Sequence, residues 1–185
     1  LRKTVALALA IFLALPACGA TASKPNSIQP LQSEGKTFCT AFSISESEGN
    51  WATAAHCAAY ALEQGLEVTI LGEPAYIVAI GFPAADVAVF QSSAKAPAVR
   101  LAEHGAVVGE ALYIIGYPYG IARTRTNGIM AALQIPILHP STGYYMASDI
   151  LDITVAGGNS GSPVFNQDGK VVGVLWGGFV ASPHS

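Results

Sequence analysis

Charge is scarce in this chain: nine Lys and Arg and twelve Asp and Glu among 185 residues, a net charge of −3 at neutral pH. Without a basic excess there is no electrostatic basis for a nucleic-acid partner. A hydrophobic run long enough to cross a bilayer is lacking too. The N-terminal run, residues 5–15, has 11 residues, whereas a span needs about 20. Metal-ligand spacing is missing: His104, His139 and His184 lie in loops or at the end with no partners nearby in sequence, so no metal and no cofactor are expected. No internal repeat stands out, and a single stretch, residues 55–64, is long and Ala-rich enough for a helix. Cysteines number only three.

What is present begins with a short basic start, Leu1-Arg2-Lys3, ahead of that apolar run. The pair has the form of a signal peptide, assigned to residues 1–17. The run ends in Leu15-Pro16-Ala17-Cys18, which resembles a bacterial lipobox and makes Cys18 the expected lipidation site. An ordinary cut after Ala17 or Ala20 is the alternative. Acyl chains on Cys18 would give the protein a membrane anchor, each buried methylene contributing about 0.8 kcal/mol. Cys39 and Cys57 remain, and export permits a disulfide between them; two unpaired buried thiols are the other reading. Residues 18–35, rich in Ser, Pro and Gln, read as a flexible tether.

From residue 36 to the end the chain reads as one domain, of a length that buries a sizeable core. Short segments rich in Val, Ile and aromatics fall at 37–44, 51–53, 66–71, 75–80 and 87–90. A second set falls at 111–115, 125–133, 144–150, 162–165 and 170–176, with Asn166-Gln167-Asp168-Gly169 as a hairpin turn. Strands at this spacing, punctuated by Gly and Pro, predict an all-β barrel or sandwich.

Three segments carry chemistry. Ser160 sits in the glycine-rich turn Gly157-Gly158-Asn159-Ser160-Gly161 before an apolar segment. His56 follows the small-residue run Thr53-Ala54-Ala55, and Asp86 opens Asp86-Val87-Ala88-Val89. A serine hydroxyl is a poor nucleophile unless a base takes its proton, and the base must be held in one tautomer by a carboxylate. The developing oxyanion needs backbone N–H donors. Glycines around Ser160 let the N–H groups of Gly158 and Ser160 converge on one point. A Gly-x-Ser-x-Gly elbow is excluded because Ser162 holds the last position, and the order His, Asp, Ser differs from that of α/β-hydrolases.

Phe38-Cys39-Thr40-Ala41-Phe42 with Trp51-Ala52-Thr53-Ala54-Ala55-His56-Cys57 resembles the disulfide-bearing hairpin and catalytic histidine of chymotrypsin-like serine proteases. The Asp86 run is similar to that family's catalytic-aspartate segment. Residues 115–120 and 126–129 look like the middle of Deg/HtrA-type protease domains. Residues 157–165 with Trp176-Gly177-Gly178 are closest to the bacterial glutamyl endopeptidases. The resemblance covers 36 to about 180 and implies two antiparallel six-stranded β-barrels with the active site between them. It implies His56 as general base, Asp86 as its orienter, Ser160 as nucleophile, and Gly158 and Ser160 as oxyanion donors. The expected activity is that of a serine endopeptidase acting on proteins or peptides through an acyl-enzyme. Two rivals are a non-catalytic peptide-binding module on the same fold and an esterase.

Three departures from the family carry expectations. Asn159 replaces the aspartate that pairs with a new N-terminus in animal zymogens, so activation by that cleavage is not expected. The pocket residues Thr154, Val155, Leu175 and Gly177 carry no charge, Leu175 standing where glutamyl endopeptidases have histidine. Small or medium apolar side chains are therefore the expected preference. Ser185 falls only 25 residues after Ser160, so the second barrel is expected to be C-terminally short: either its pocket is open on one side or the sequence is a truncated product.

Overall fold

The structure is a computed structural model that describes residues 27–178. The signal segment 1–17 and Cys18 lie outside the described residues. The architecture is mostly β. Six strands close into a barrel: β1 (Ile28–Ser33), β2 (Lys36–Ser45), β3 (Asn50–Thr53), β4 (Thr69–Ile70), β5 (Glu73–Ile80) and β6 (Ala88–Ser92), ordered β1-β2-β3-β6-β5-β4. All of its pairings are antiparallel. Its interior follows from alternation: Leu31, Cys39, Ala41, Trp51, Ile70, Ala88 and Phe90 point inward. Trp51 faces Phe90 across β3 and β6, and its indole N–H donates to the Ala94 carbonyl at 3.2 Å.

β1 is a correction. Residues 18–35 read as a tether, yet Ile28 and Leu31 are fully buried in the barrel wall. The segment shows only two large apolar residues among Ser, Gln and Pro, too weak a pattern to stand out. Its pairing with β2 and β4 makes it a strand.

The one α-helix among the described residues, α1 (Ala55–Glu63), is close to the span expected. Ala55, Ala58 and Ala61 form its buried stripe with Cys57. It stops in a Schellman arrangement: Gly65 adopts φ +61°, its N–H donates to Leu62, and the Leu66 N–H donates to Ala61. Cys57 is bonded to Cys39 of β2, 18 residues away, so the expected disulfide pairing is found. Closing a loop of that length contributes roughly 3 kcal/mol in the chain-entropy account.

The second half is a six-stranded sheet of β7 (Arg100–Leu101), β8 (Ala111–Gly116), β9 (Thr124–Leu138), β10 (Tyr145–Asp152), β11 (Pro163–Phe165) and β12 (Lys170–Val174). Its order is β10-β9-β8-β11-β12-β7, with β7 parallel to β12. Here the expectation of two closed antiparallel barrels is met in the first half only. Among the described residues β10 and β7 end the sheet without pairing with each other. The turn expected at 166–169 does join β11 to β12, the Gly169 N–H donating to Asn166.

β2 is buried on both faces over residues 39–43. One face fills the barrel, while Phe42 on the other packs with Tyr113, Ile115 and Phe165 of the second sheet. This shared strand presses the two halves together and fixes where the loops between them meet.

Candidate active site

His56 is the second residue of α1, so its backbone and ring both start from a fixed helix end. Its backbone N–H donates to Asp86 Oδ1 at 2.8 Å, and its Nδ1 lies 2.7 Å from Asp86 Oδ2. An ionised carboxylate only accepts, so Nδ1 carries the proton in this pair. Nε2 is then left with its lone pair. Among the described residues the contact found to Nε2 is Cys57 Sγ at 3.7 Å, a disulfide sulfur with no hydrogen to give.

Asp86 lies just before β6 with its side chain fully buried. Burial alone pushes its carboxyl pKa up. The hydrogen bond and charge of His56, then His139 and the His56 backbone N–H, outweigh that and hold it below 3.8. A carboxyl whose folded pKa is depressed stabilises the fold above its unfolded pKa and loses that contribution as pH falls through the folded value. The melting temperature is therefore expected to fall on acidification below about pH 4, and Asp86→Asn to flatten part of that slope. Thermal melts of both proteins between pH 6 and pH 2 are the check. Identical slopes would show that Asp86 plays no part.

Ser160 lies in the loop between β10 and β11, which the barrel holds from below. Thr40 of β2 donates from its N–H to the Ser160 carbonyl and from Oγ1 to the Gly158 carbonyl, both at 2.8 Å. The Gly161 N–H donates to the Leu175 carbonyl at 2.7 Å. Gly161 has φ +84°, and a Cβ there would strike the Thr40 carbonyl, Thr53 Oγ1 and the Ala54 backbone nitrogen. The Ser160 loop therefore touches the end of β3, three residues before His56. Gly158, at φ +90°, is equally confined: a Cβ would sit 2.5 Å from the Tyr117 carbonyl. With these carbonyls tied back, the N–H groups of Gly158 and Ser160 have no partner among the described residues. Two backbone donors are thus left without a partner on either side of Asn159 among the described residues.

The structure thus joins His56 to Asp86 and seats the Ser160 loop against the same strands. It does not join the third pair: among the described residues Ser160 Oγ makes no hydrogen bond to His56 or to any other group. Catalytic hydrogen bonds of this kind are often long without substrate and tighten on binding. Two buried polar atoms flank the loop unpartnered, Asn159 Oδ1 and Ser162 Oγ. Both crowd the position of Gly116, where a Cβ would meet them.

Thr154, Val155, Leu175 and Gly177, the expected pocket residues, all line a cavity of about 570 Å³ that also reaches His56. Two exposed carboxylates, Asp149 and Asp152, line it as well. Asp149 Oδ1 accepts from the Gln134 backbone and side chain.

One residue was missed. His139 reads as an ordinary loop histidine, yet it is 1% exposed and its Nε2 lies 2.9 Å from Asp86 Oδ2. It sits 53 residues from its partner at the end of β9, and no local pattern could have connected them. His56, Asp86 and His139 bring donor atoms within 4.8 Å of one another, a spacing that their hydrogen bonds explain.

Comparisons with known proteins bear on the family and the fold. The family model described as trypsin-like peptidase domain matches residues 39–174. A probable periplasmic serine endoprotease, DegP-like, of Pseudomonas fulva is 36% identical over 94 residues, covering 50% of this chain and 19% of that protein. Its counterpart in Bartonella henselae is 43% identical over 67 residues, 36% of this chain and 13% of that one. The matched segment is thus about a fifth or less of these curated relatives. Among solved structures, Rv3671c of M. tuberculosis, in an inactive form, superposes with a TM-score of 0.66 at 25% identity, covering 84% of this chain and 76% of that one. The HtrA-type protease AlgW, solved with a tripeptide, gives 0.64 at 25% identity over 82% of this chain and 50% of that one. A family match running from the disulfide strand through the Ser160 loop to β12 spans most of the chain, and by it this chain belongs to the trypsin-like peptidase domain family.

Proposed function

We propose that this chain is an exported serine endopeptidase working through Ser160, His56 and Asp86. The observation that carries the reading is the His56–Asp86 pair. A buried carboxylate holds the Nδ1 proton at 2.7 Å, so the Nε2 lone pair is the ring's only site for a further proton.

As Ser160 Oγ attacks a peptide carbonyl carbon, His56 Nε2 takes the hydroxyl proton. The carbonyl oxygen becomes an oxyanion and accepts hydrogen bonds from the Gly158 and Ser160 N–H groups, each such donor typically contributing about 2.7–4 kcal/mol to transition-state stabilisation. Imidazolium then returns the proton to the leaving amine, the C–N bond breaks, and an ester to Ser160 remains. Water enters by the same route in reverse, and Ser160 is regenerated with its proton. Asp86 stays ionised throughout.

The cavity beside His56 is the site for the side chain on the acyl side of the cut. Its walls include Thr154, Val155, Leu175 and Gly177 with Val164 and Ile153, and Asp149 and Asp152 line it as well; the apolar walls favour small or medium apolar residues. Export rests on the basic start and apolar run at residues 1–15, and on relatives named as periplasmic.

A fluorophosphonate probe tests the reading. Stoichiometric labelling that peptide mapping places on Ser160 is the expected result. Folded protein that takes no label, or labels elsewhere, sinks the proposal and leaves the peptide-binding module in its place. Ester and amide substrates compared side by side separate a peptidase from an esterase. A peptide-library digest dominated by a charged residue before the cut contradicts the apolar pocket.

A further inference from the structure

His139 has no role in the chemistry above, yet its surroundings are built around it. The ring is buried at the tip of the β9–β10 hairpin, which belongs to the second sheet, and reaches a carboxylate that belongs to the barrel. The hairpin end is itself tied: the His139 N–H donates to the Tyr144 carbonyl at 2.8 Å, and the Gly143 N–H donates to the His139 carbonyl at 2.9 Å. Phe82 meets the ring edge-on at 5.2 Å between centroids, and Trp176 covers it at 4.8 Å. Its protonation follows from its partners. The Ser141 backbone N–H points at Nδ1 at 3.3 Å, so Nδ1 accepts, and Nε2 donates to Asp86 Oδ2 at 2.9 Å.

Resting on the triad reading, we propose that His139 is a positioning residue: its Nε2–H tethers the Asp86 carboxylate across the two halves, so that Asp86 meets His56 in one orientation. Asp86 then accepts three hydrogen bonds, two at Oδ2 from the imidazoles and one at Oδ1 from the His56 backbone. A carboxylate rotated out of this position would leave a buried donor of His56 or His139 unpaired, which is costly. The tether also has an electrostatic consequence. Charge that Oδ2 shares with His139 is withheld from His56, so the imidazolium of His56 is less stabilised than it would be by Asp86 alone.

The titratable groups facing His139 are Asp86 from the loop before β6 and His56 from α1. Phe82 and Trp176 carry no charge. Asp149 and Asp152 line the cavity that His56 shares, and their contribution is common to every variant below.

The test compares His139→Phe, which keeps ring packing and removes the donor, with His139→Gln, which keeps a donor. His139→Phe is expected to lower kcat about 10- to 100-fold, in the range of losing one positioning contact. KM should change little, and the acid limb of kcat/KM should move up. His139→Gln is expected to restore the limb and most of kcat. Folded His139→Phe with unchanged kcat and acid limb overturns the proposal. So does equal impairment of both variants with an unmoved limb, since that is a packing role. Should His139→Phe fail to fold, nitrogen-15 spectra of wild type decide: a proton on Nδ1 of His139 rather than Nε2 overturns it. Wild type that neither labels nor hydrolyses refutes the triad instead, and those spectra still report on the tether.

Discussion

Ser160→Ala is expected to lower kcat for peptide hydrolysis by about 10⁶-fold while leaving the melting temperature and peptide affinity unchanged. The separation of the two effects follows from how Ser160 is held. Every tie it makes is through the backbone: its carbonyl accepts from Thr40, and the loop around it is pinned through Gly158 and Gly161. Among the described residues the hydrogen bonding found at Ser160 runs through its carbonyl and not its hydroxyl, so removing the hydroxyl breaks no hydrogen bond. The stability change should stay within about 0.5 kcal/mol, the range of substitutions that disturb neither packing nor hydrogen bonding. A residual rate about 10³–10⁴ above water should survive, since Gly158 and the alanine at 160 keep their N–H donors. Initial rates on a fluorogenic peptide, with a thermal melt of the same sample, measure both. Hydrolysis persisting near the wild-type rate would mean that the nucleophile is elsewhere. A large fall in melting temperature would mean that the hydroxyl has a structural partner.

Much of this site is readable from local sequence because its chemistry is local. A histidine at a helix start after small residues, an aspartate before a short apolar strand, and a serine among glycines each need only a few neighbours to be recognised. The glycines are demanded by contacts seen only in three dimensions: Gly161 faces the Thr40 carbonyl and Gly158 the Tyr117 carbonyl. What escapes a reading along the chain is whatever depends on distant partners. β1 is a strand because β2 and β4 pair with it, not because Gln, Pro and Ser favour extension. β7 is two residues long and exists through its parallel contact with β12. His139 matters only because a 15-residue β9 carries it to the other half of the molecule. The extent of the second sheet is likewise a matter of which edges meet, and pattern along a strand does not encode that.

Asp86→Asn is expected to reduce kcat/KM about 10⁴-fold, with fluorophosphonate labelling of Ser160 slowed to match. The reason lies in the donors that converge on this side chain. Oδ1 faces the His56 backbone N–H, and Oδ2 faces His56 Nδ1 and His139 Nε2. A carboxylate accepts from all three, whereas an amide has one oxygen and an NH₂ that must point somewhere. Turned toward the backbone, the NH₂ meets an N–H that cannot tautomerise. The amide oxygen therefore stays with the backbone, and the NH₂ confronts the two imidazoles. His56 responds by moving its proton to Nε2, where it can no longer accept one from Ser160. The folded structure should tolerate the change, because volume is conserved and His56 adapts by shifting its proton, while His139 keeps its Nδ1 as acceptor for the Ser141 N–H. Nitrogen-15 shifts of His56 report the tautomer directly: a proton on Nε2 in Asp86→Asn, against Nδ1 in wild type, accompanies the loss of rate. A variant that loses activity with the proton still on Nδ1 would show that Asp86 acts through charge alone. One that keeps wild-type activity would remove Asp86 from the mechanism.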